Sequence, residues 1–124
     1  MSGKYDAGRD GFGAGNISWT RDRIMARLVS AAYQFDPSHT DLARIEGFVG
    51  PAAEVTGRSL SRGWAKANTI VFSQVRGSPV AGMIVWSEAG STLIFHHDQI
   101  EGFPMTPNGG DIHVDIPEKG LLRI

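Results

Sequence analysis

Six side chains in the C-terminal half could do chemistry together: His96, His97 and Asp98 in one stretch, and Asp111, His113 and Asp115 in another. Two imidazoles and a carboxylate are enough to bind zinc or iron. That would require the segments 92–97 and 111–116 to pair, bringing one of His96 and His97, most simply His97, beside His113. Consecutive strand residues point to opposite faces, so only one of the two histidines can serve. The spacing matches no zinc signature. Asp111, His113 and Asp115 alternate as a solvent-facing strand surface does. A polar sheet face is therefore expected, with no metal and no cofactor.

Other catalytic patterns are weaker. No serine sits in a G-x-S-x-G elbow. Asn108-Gly109-Gly110-Asp111 lacks the lysine and following helix of a phosphate loop, and reads as a β-turn. Glu46, Glu54, Glu88 and Glu101 are scattered and form no carboxylate pair across a cleft. No catalytic residue is expected, and the chain reads as a non-enzyme. Arg58, Arg62 and Lys66 around Trp64 make a small basic patch with one aromatic. Stacking plus phosphate contact would suit such a patch, but a solvated or interface strand explains it as well. Trp86 lies in an apolar run and belongs to the core. Trp19 and Trp64 lie beside glycines and polar residues, and read as interface anchors or as stacking platforms for a carbohydrate.

These residues must be positioned by a small chain. Its 124 residues allow one core and little more. Twelve Lys and Arg oppose thirteen Asp and Glu, a formal net charge of -1, so nucleic acid is not an expected partner. There is no cysteine, which removes disulfides, thiol nucleophiles and thiolate metal sites. No stretch approaches the roughly 18–20 apolar residues of a membrane helix, and no apolar run of a signal peptide opens the chain, so no membrane partner is expected.

Residues 1–16 stand apart. Five glycines alternate with Lys4, Asp6, Arg9 and Asp10, and Tyr5 and Phe12 alone could anchor anything. Ordering costs about 1–2 kcal/mol per residue, more than two aromatic side chains return. The expectation is a flexible arm over 1–16, ordered by crossing onto another subunit with Tyr5 and Phe12 as plugs, beside a β-rich domain over 17–124. Deleting the arm should then leave the domain folded.

Within 17–35, Ile24, Met25, Leu28, Val29 and Ala32 form a helical stripe, while a period-two reading sets Ile24, Ala26 and Leu28 on one face. Residues 38–46 suggest a short helix capped by Ser38 or Thr40. Val55–Ala65, broken by Gly57 and Gly63, reads as twisted or bulged edge strands. In 69–75, Ile70 and Phe72 face one side, and Val71, Ser73 and Val75 the other. Residues 80–87 are apolar throughout, as in a central strand, and a turn at 88–91 returns the chain as a partner strand over 92–97. Ile112, Val114 and Ile116 alternate with Asp111, His113 and Asp115, and LLRI ends the chain as a short strand. Closure as an antiparallel β-sandwich or small barrel follows, with one short helix and an extended N-terminal arm.

The segments YQFDPSHTDLARIEG (33–47), VTGRSL (55–60), TIVFSQVRGSPVAGMIVW (69–86) and LIFHHDQIEGFPMTPNGGDIHVDIPEKGLLRI (93–124) resemble, in order and spacing, a family of small virion structural proteins of tailed bacteriophages. The resemblance covers about residues 20–124. Arg58 stands where the family often has lysine, and His96-His97 where it usually has an aromatic and a small polar residue. The resemblance implies a strand over 22–30 and no catalytic residues. It also implies localisation in the virion as a capsid decoration, cement or vertex spike-base protein. Partners would be the major capsid protein or other virion subunits, with a homo-oligomer, such as a trimer, as the assembly. A tail or collar protein, or a carbohydrate-binding β-sandwich, is the alternative.

Overall fold

The structure, a computed structural model, describes residues 3–100 and 102–124. The chain is mainly β. In order it forms β1 (Gly3–Lys4), α1 (Asp6–Gly13), β2 (Ile24–Ser30), β3 (Phe48–Glu54), β4 (Ser59–Ser61), β5 (Trp64–Lys66), β6 (Ile70–Phe72), β7 (Val80–Ser87), β8 (Thr92–His97), β9 (Ile112–Val114) and β10 (Leu122–Arg123). Short 3-10 turns lie at Leu42–Arg44 and Ala89–Ser91. All named strand pairs are antiparallel, in a five-stranded sheet ordered β1-β8-β7-β2-β3, a three-stranded sheet β10-β5-β4 and a two-stranded sheet β6-β9.

The larger sheet is buried on both faces, giving a sandwich-like arrangement. One face carries Ile24, Ala26, Leu28, Met83 and Val85 into a core shared with Ala65, Ile70, Phe72, Val114 and Leu122 of the two small sheets. The other face carries Val29, Ile84, Trp86 and Leu93, covered by Tyr5, Tyr33 and Ile45. This explains why β7 is apolar throughout and why β2 looked helical: two buried faces erase the alternation that marks a half-exposed strand. Residues 24–30 are a strand, as the family resemblance implies.

The N-terminal segment departs from the expected extended arm. Gly3–Lys4 pairs with His96–Phe95 of the chain's own β8, and Tyr5 is 0% exposed. The Tyr5 amide donates to the Ile94 carbonyl at 3.0 Å, and the Asp6 amide to the Pro37 carbonyl at 2.9 Å. Residues 6–13 then form the one α-helix among the described residues. Glycine permits the packing. A Cβ on Gly8 would sit 2.7 Å from the Leu93 carbonyl oxygen, and one on Gly11 would sit 2.4 Å from Ile17 Cδ1. Two aromatic side chains alone would not offset the ordering of the segment. The strand pairing with β8 and the backbone contact that a side chain would prevent add to them. Residues 1 and 2 of the expected arm lie outside the described residues.

Two further expectations change, and one strand carries no clear pattern in the sequence. Residues 38–46 carry a 3-10 turn rather than a helix, and Asp41, not Ser38 or Thr40, caps it by accepting from the Ala43 amide at 3.0 Å. Residues 48–54 form a strand that Gly50 and Pro51 disguise. It is an edge strand, where proline is tolerated, and its pairing with β2 shifts between Ala26 and Leu28. Arg27 fills that irregularity, its Nε donating to the Gly50 carbonyl at 2.6 Å. Finally, Val75 is buried with Ile70 and Phe72, because Gln74 takes φ +49° and reverses the alternation.

Candidate binding groove around Trp64

The groove is a product of strand register. Arg62 and Gly63 take φ +53° and +81°, the paired left-handed geometry of a two-residue hairpin turn. The turn sets Ser61 opposite Trp64, Leu60 opposite Ala65 and Ser59 opposite Lys66. On the other side of β5, Arg123 pairs with Trp64 and Leu122 with Ala65. Directly opposed residues share a face. One face of this small sheet is therefore Leu60, Ala65 and Leu122. The other is Ser61, Trp64 and Arg123 in one row, with Ser59 and Lys66 beside it.

The turn Pro117–Gly120 closes one side. A Cβ on Gly120 would meet the Ala65 carbonyl oxygen at 2.9 Å and Trp64 Cβ at 3.0 Å, so glycine lets the turn approach the tryptophan. Lys119 Nζ then lies 4.9 Å from the Trp64 ring centroid, a cation–π contact. The result is a groove of about 1020 Å³ lined by Arg62, Trp64, Lys66, Lys119 and Arg123, with Ser61, Pro117 and Glu118. Among the described residues no carboxylate lies within ion-pairing distance of its four cations. Such a surface attracts anionic groups and offers one large, half-buried aromatic as an anchor.

The basic patch expected from sequence is thus recomposed. Arg58 is withdrawn from it: its guanidinium donates to the Trp19, Val55 and Asp22 carbonyls and locks the loops beneath the sheet. Lys119 and Arg123, far along the chain, replace it. The signal for Arg123 was the alternation at 121–124, but nothing local told which strand would lie beside it.

Of the four expected anchors, Trp64 and Phe12 line clefts at the surface and the other two do not. Tyr5 is buried, and Trp19 is 1% exposed, with its indole Nε1 donating to the Lys66 carbonyl at 3.0 Å. Both are core residues of this chain and are not available to a partner. Phe12 is half-buried against the main core and lines a cleft of about 300 Å³ with Ile94, Leu122, Ile124, Lys4 and Arg9. Trp86 is buried, as its apolar run implied.

The histidines separate. β8 pairs with β7 and β1, and β9 with β6, so the segments 92–97 and 111–116 are not strand partners. His96 stacks on Phe35 with centroids 5.5 Å apart, on the face opposite His97. His97 and His113 do line one cleft of about 480 Å³ with Asp115. Burial pushes the His97 pKa below its ordinary value, favouring the neutral ring. Among the described residues, no group of three His, Cys, Asp or Glu side chains is placed to hold a metal ion.

A polar chain missed in the sequence ties the N-terminus down. Tyr5 and Tyr33 share a hydrogen bond of 2.5 Å between their hydroxyls, and the Tyr33 hydroxyl lies 3.1 Å from His39 Nδ1. His39 Nε2 is 4.0 Å from Asp36. Hydrogen bonds from Ser38 hold the Asp36 carboxyl below its usual range. Burial, then the Tyr33 hydroxyl, pushes the Tyr5 phenol well above its ordinary value, and burial also raises Tyr33. Both phenols stay protonated near neutrality, which suits a structural link rather than a nucleophile. No protein-family model matches the chain, and no curated protein matches it.

Proposed function

We propose that this chain is a non-enzymatic structural subunit of a tailed-bacteriophage virion, bound to the capsid as a decoration, cement or spike-base protein, and that the Trp64 face is its docking surface. The observation that carries the reading is the groove itself. A half-buried tryptophan lies with Arg62 and Arg123 on an exposed sheet face, and tryptophan and arginine are enriched where proteins bind each other. The sequence resemblance to phage structural proteins supplies the particle. A sugar-stacking role for Trp64 is less favoured, because Lys119 sits over its ring.

Mass spectrometry of purified particles of the encoding phage tests this. The protein should be present at a fixed copy number, in the hundreds for a lattice decoration and in the tens for a vertex component. Particles lacking it should lose resistance to heat and dilution. Its absence from purified particles would overturn the reading.

A further inference from the structure

The three-stranded sheet ends on an unprotected edge. Its order is β10-β5-β4, so among the described residues one side of Ser59–Ser61 has no strand beside it. All three residues of β4 are exposed, and Leu60 is 52% exposed although its opposed neighbours Ala65 and Leu122 are buried. Leu60 overhangs the core, extending its apolar face past the last strand. Edges of soluble sheets are ordinarily blunted by lysine, proline or a bulge. This one is short, at three residues, but reads Ser-Leu-Ser with no lysine, proline or bulge of its own.

The two faces at that edge differ in chemistry. On the groove side, Ser59 and Ser61 are small and leave the way open from the edge to Lys66, Trp64 and the adjoining Arg62. On the other side stands Leu60. A strand added beside β4 would place alternate side chains on these two faces. Those over the groove would meet cations, and those between them would meet leucine.

We infer that β4 is an acceptor edge for an extended segment of a partner protein in which acidic and apolar residues alternate. Acidic side chains reach over the serines toward Arg62 and Lys66, and apolar side chains cover Leu60. The inference rests on the docking reading above and names the partner's pattern. Charge complementarity sets the sign: four cations and one carboxylate line the groove in a chain whose formal net charge is -1. The same observations favour protein over single-stranded nucleic acid. The chain as a whole has no positive field to attract a polyanion. Lys119 occupies the Trp64 ring where a base would stack, and Glu118 lies in the groove.

Titration of the full chain with a short peptide alternating Glu and Val tests it, followed by fluorescence polarisation of the labelled peptide and by hydrogen exchange. The comparison ligands are a Glu-block–Val-block peptide of the same composition, an alternating Lys–Val peptide and oligothymidylate. The alternating acidic peptide should bind best, slow exchange at the Leu60 amide, which points away from β5, and weaken with salt. Arg62→Glu with Lys66→Glu should weaken it about tenfold or more, as should Leu60→Lys, while thermal melting stays within a few degrees of the parent. If those charge changes unfold the chain, Leu60→Pro, which removes the amide that points away from β5 and keeps the charges, takes their place with the same expected loss. Equal binding of the block peptide would overturn strand addition, tighter binding of oligothymidylate would overturn the choice of partner, and no binding of any ligand would overturn both. Virion composition is read separately, so failure of the particle assignment leaves this titration intact.

Discussion

The N-terminal segment and the Trp64 hairpin have similar compositions and opposite fates. Both combine glycine with charge, and sequence alone marks aromatics in each as anchors for a partner: Tyr5 and Phe12 in the first, Trp64 in the second. In the first, Tyr5 is fully buried beneath the chain's own sheet; in the second, Trp64 stays half-exposed at a groove. The glycines make the difference. Gly8 and Gly11 have helical backbones and are small where another part of the chain passes within 3 Å of a would-be Cβ. Gly63 instead supplies a left-handed turn that projects a hairpin outward. Glycine content alone distinguishes neither flexibility from close approach nor close approach from a turn.

The largest expected effect is at Tyr5. Tyr5→Ala empties a fully buried aromatic site and removes the bond to Tyr33, so stability should fall by about 3–5 kcal/mol, measured by chemical denaturation. A loss below about 1 kcal/mol would return the segment to the status of a loose arm. Hydrogen exchange on the free chain should show protection at Tyr5, whose amide is bonded to the Ile94 carbonyl.

Next is Gly8→Val. The neighbours of its Cβ are the Leu93 carbonyl oxygen and Ile94 Cα, backbone atoms that cannot swing aside. A cost of about 2–3 kcal/mol is expected, whereas Gly13→Ala, with nothing within 4 Å, should be neutral or slightly stabilising. Equal effects at the two sites would show that helix propensity, rather than close packing, governs the segment.

Tyr5→Phe should cost about 1–2 kcal/mol near neutrality by leaving the Tyr33 hydroxyl short of a partner. Its pH dependence is more telling. The phenol's folded pKa is raised, so its stabilising effect is complete below the unfolded value of about 10 and is lost as pH rises above it. Alkaline unfolding should therefore be steep in the parent and shallower in Tyr5→Phe. His97 acts with the opposite sign. Its folded pKa is lowered by burial, so its contribution is present above about 6.5 and lost as pH falls. His97→Gln should flatten the acid limb in urea titrations.

The smallest effect on folding belongs to the groove. Lys119→Glu with Arg123→Glu should change stability by no more than about 0.5 kcal/mol, since both side chains are exposed. A loss comparable with that at Gly8 would mean that the groove cations hold the fold together rather than await a ligand.

The amino-acid sequence by itself determined the β-rich class, the central strand at 80–87, its hairpin partner at 92–97, and the alternating strands at 69–72 and 112–114. Each is written in a local pattern of apolar residues and turn formers, which needs no knowledge of distant neighbours. The edge strand at 48–54 was hidden, because a glycine and a proline at an irregular pairing erase that local pattern. The tertiary structure alone decided what glycine does at positions 8, 11 and 120, since close approach is a property of two segments and is encoded in neither. It also decided the groove. Trp64 was legible as an aromatic beside cations, but Arg58 was lost to three backbone carbonyls, and Lys119 and Arg123 arrived through pairing of the last strand with β5. Register across a sheet depends on which strands meet, and that is settled by burial of Ala65 and Leu122 on the opposite face rather than by any residue in the groove.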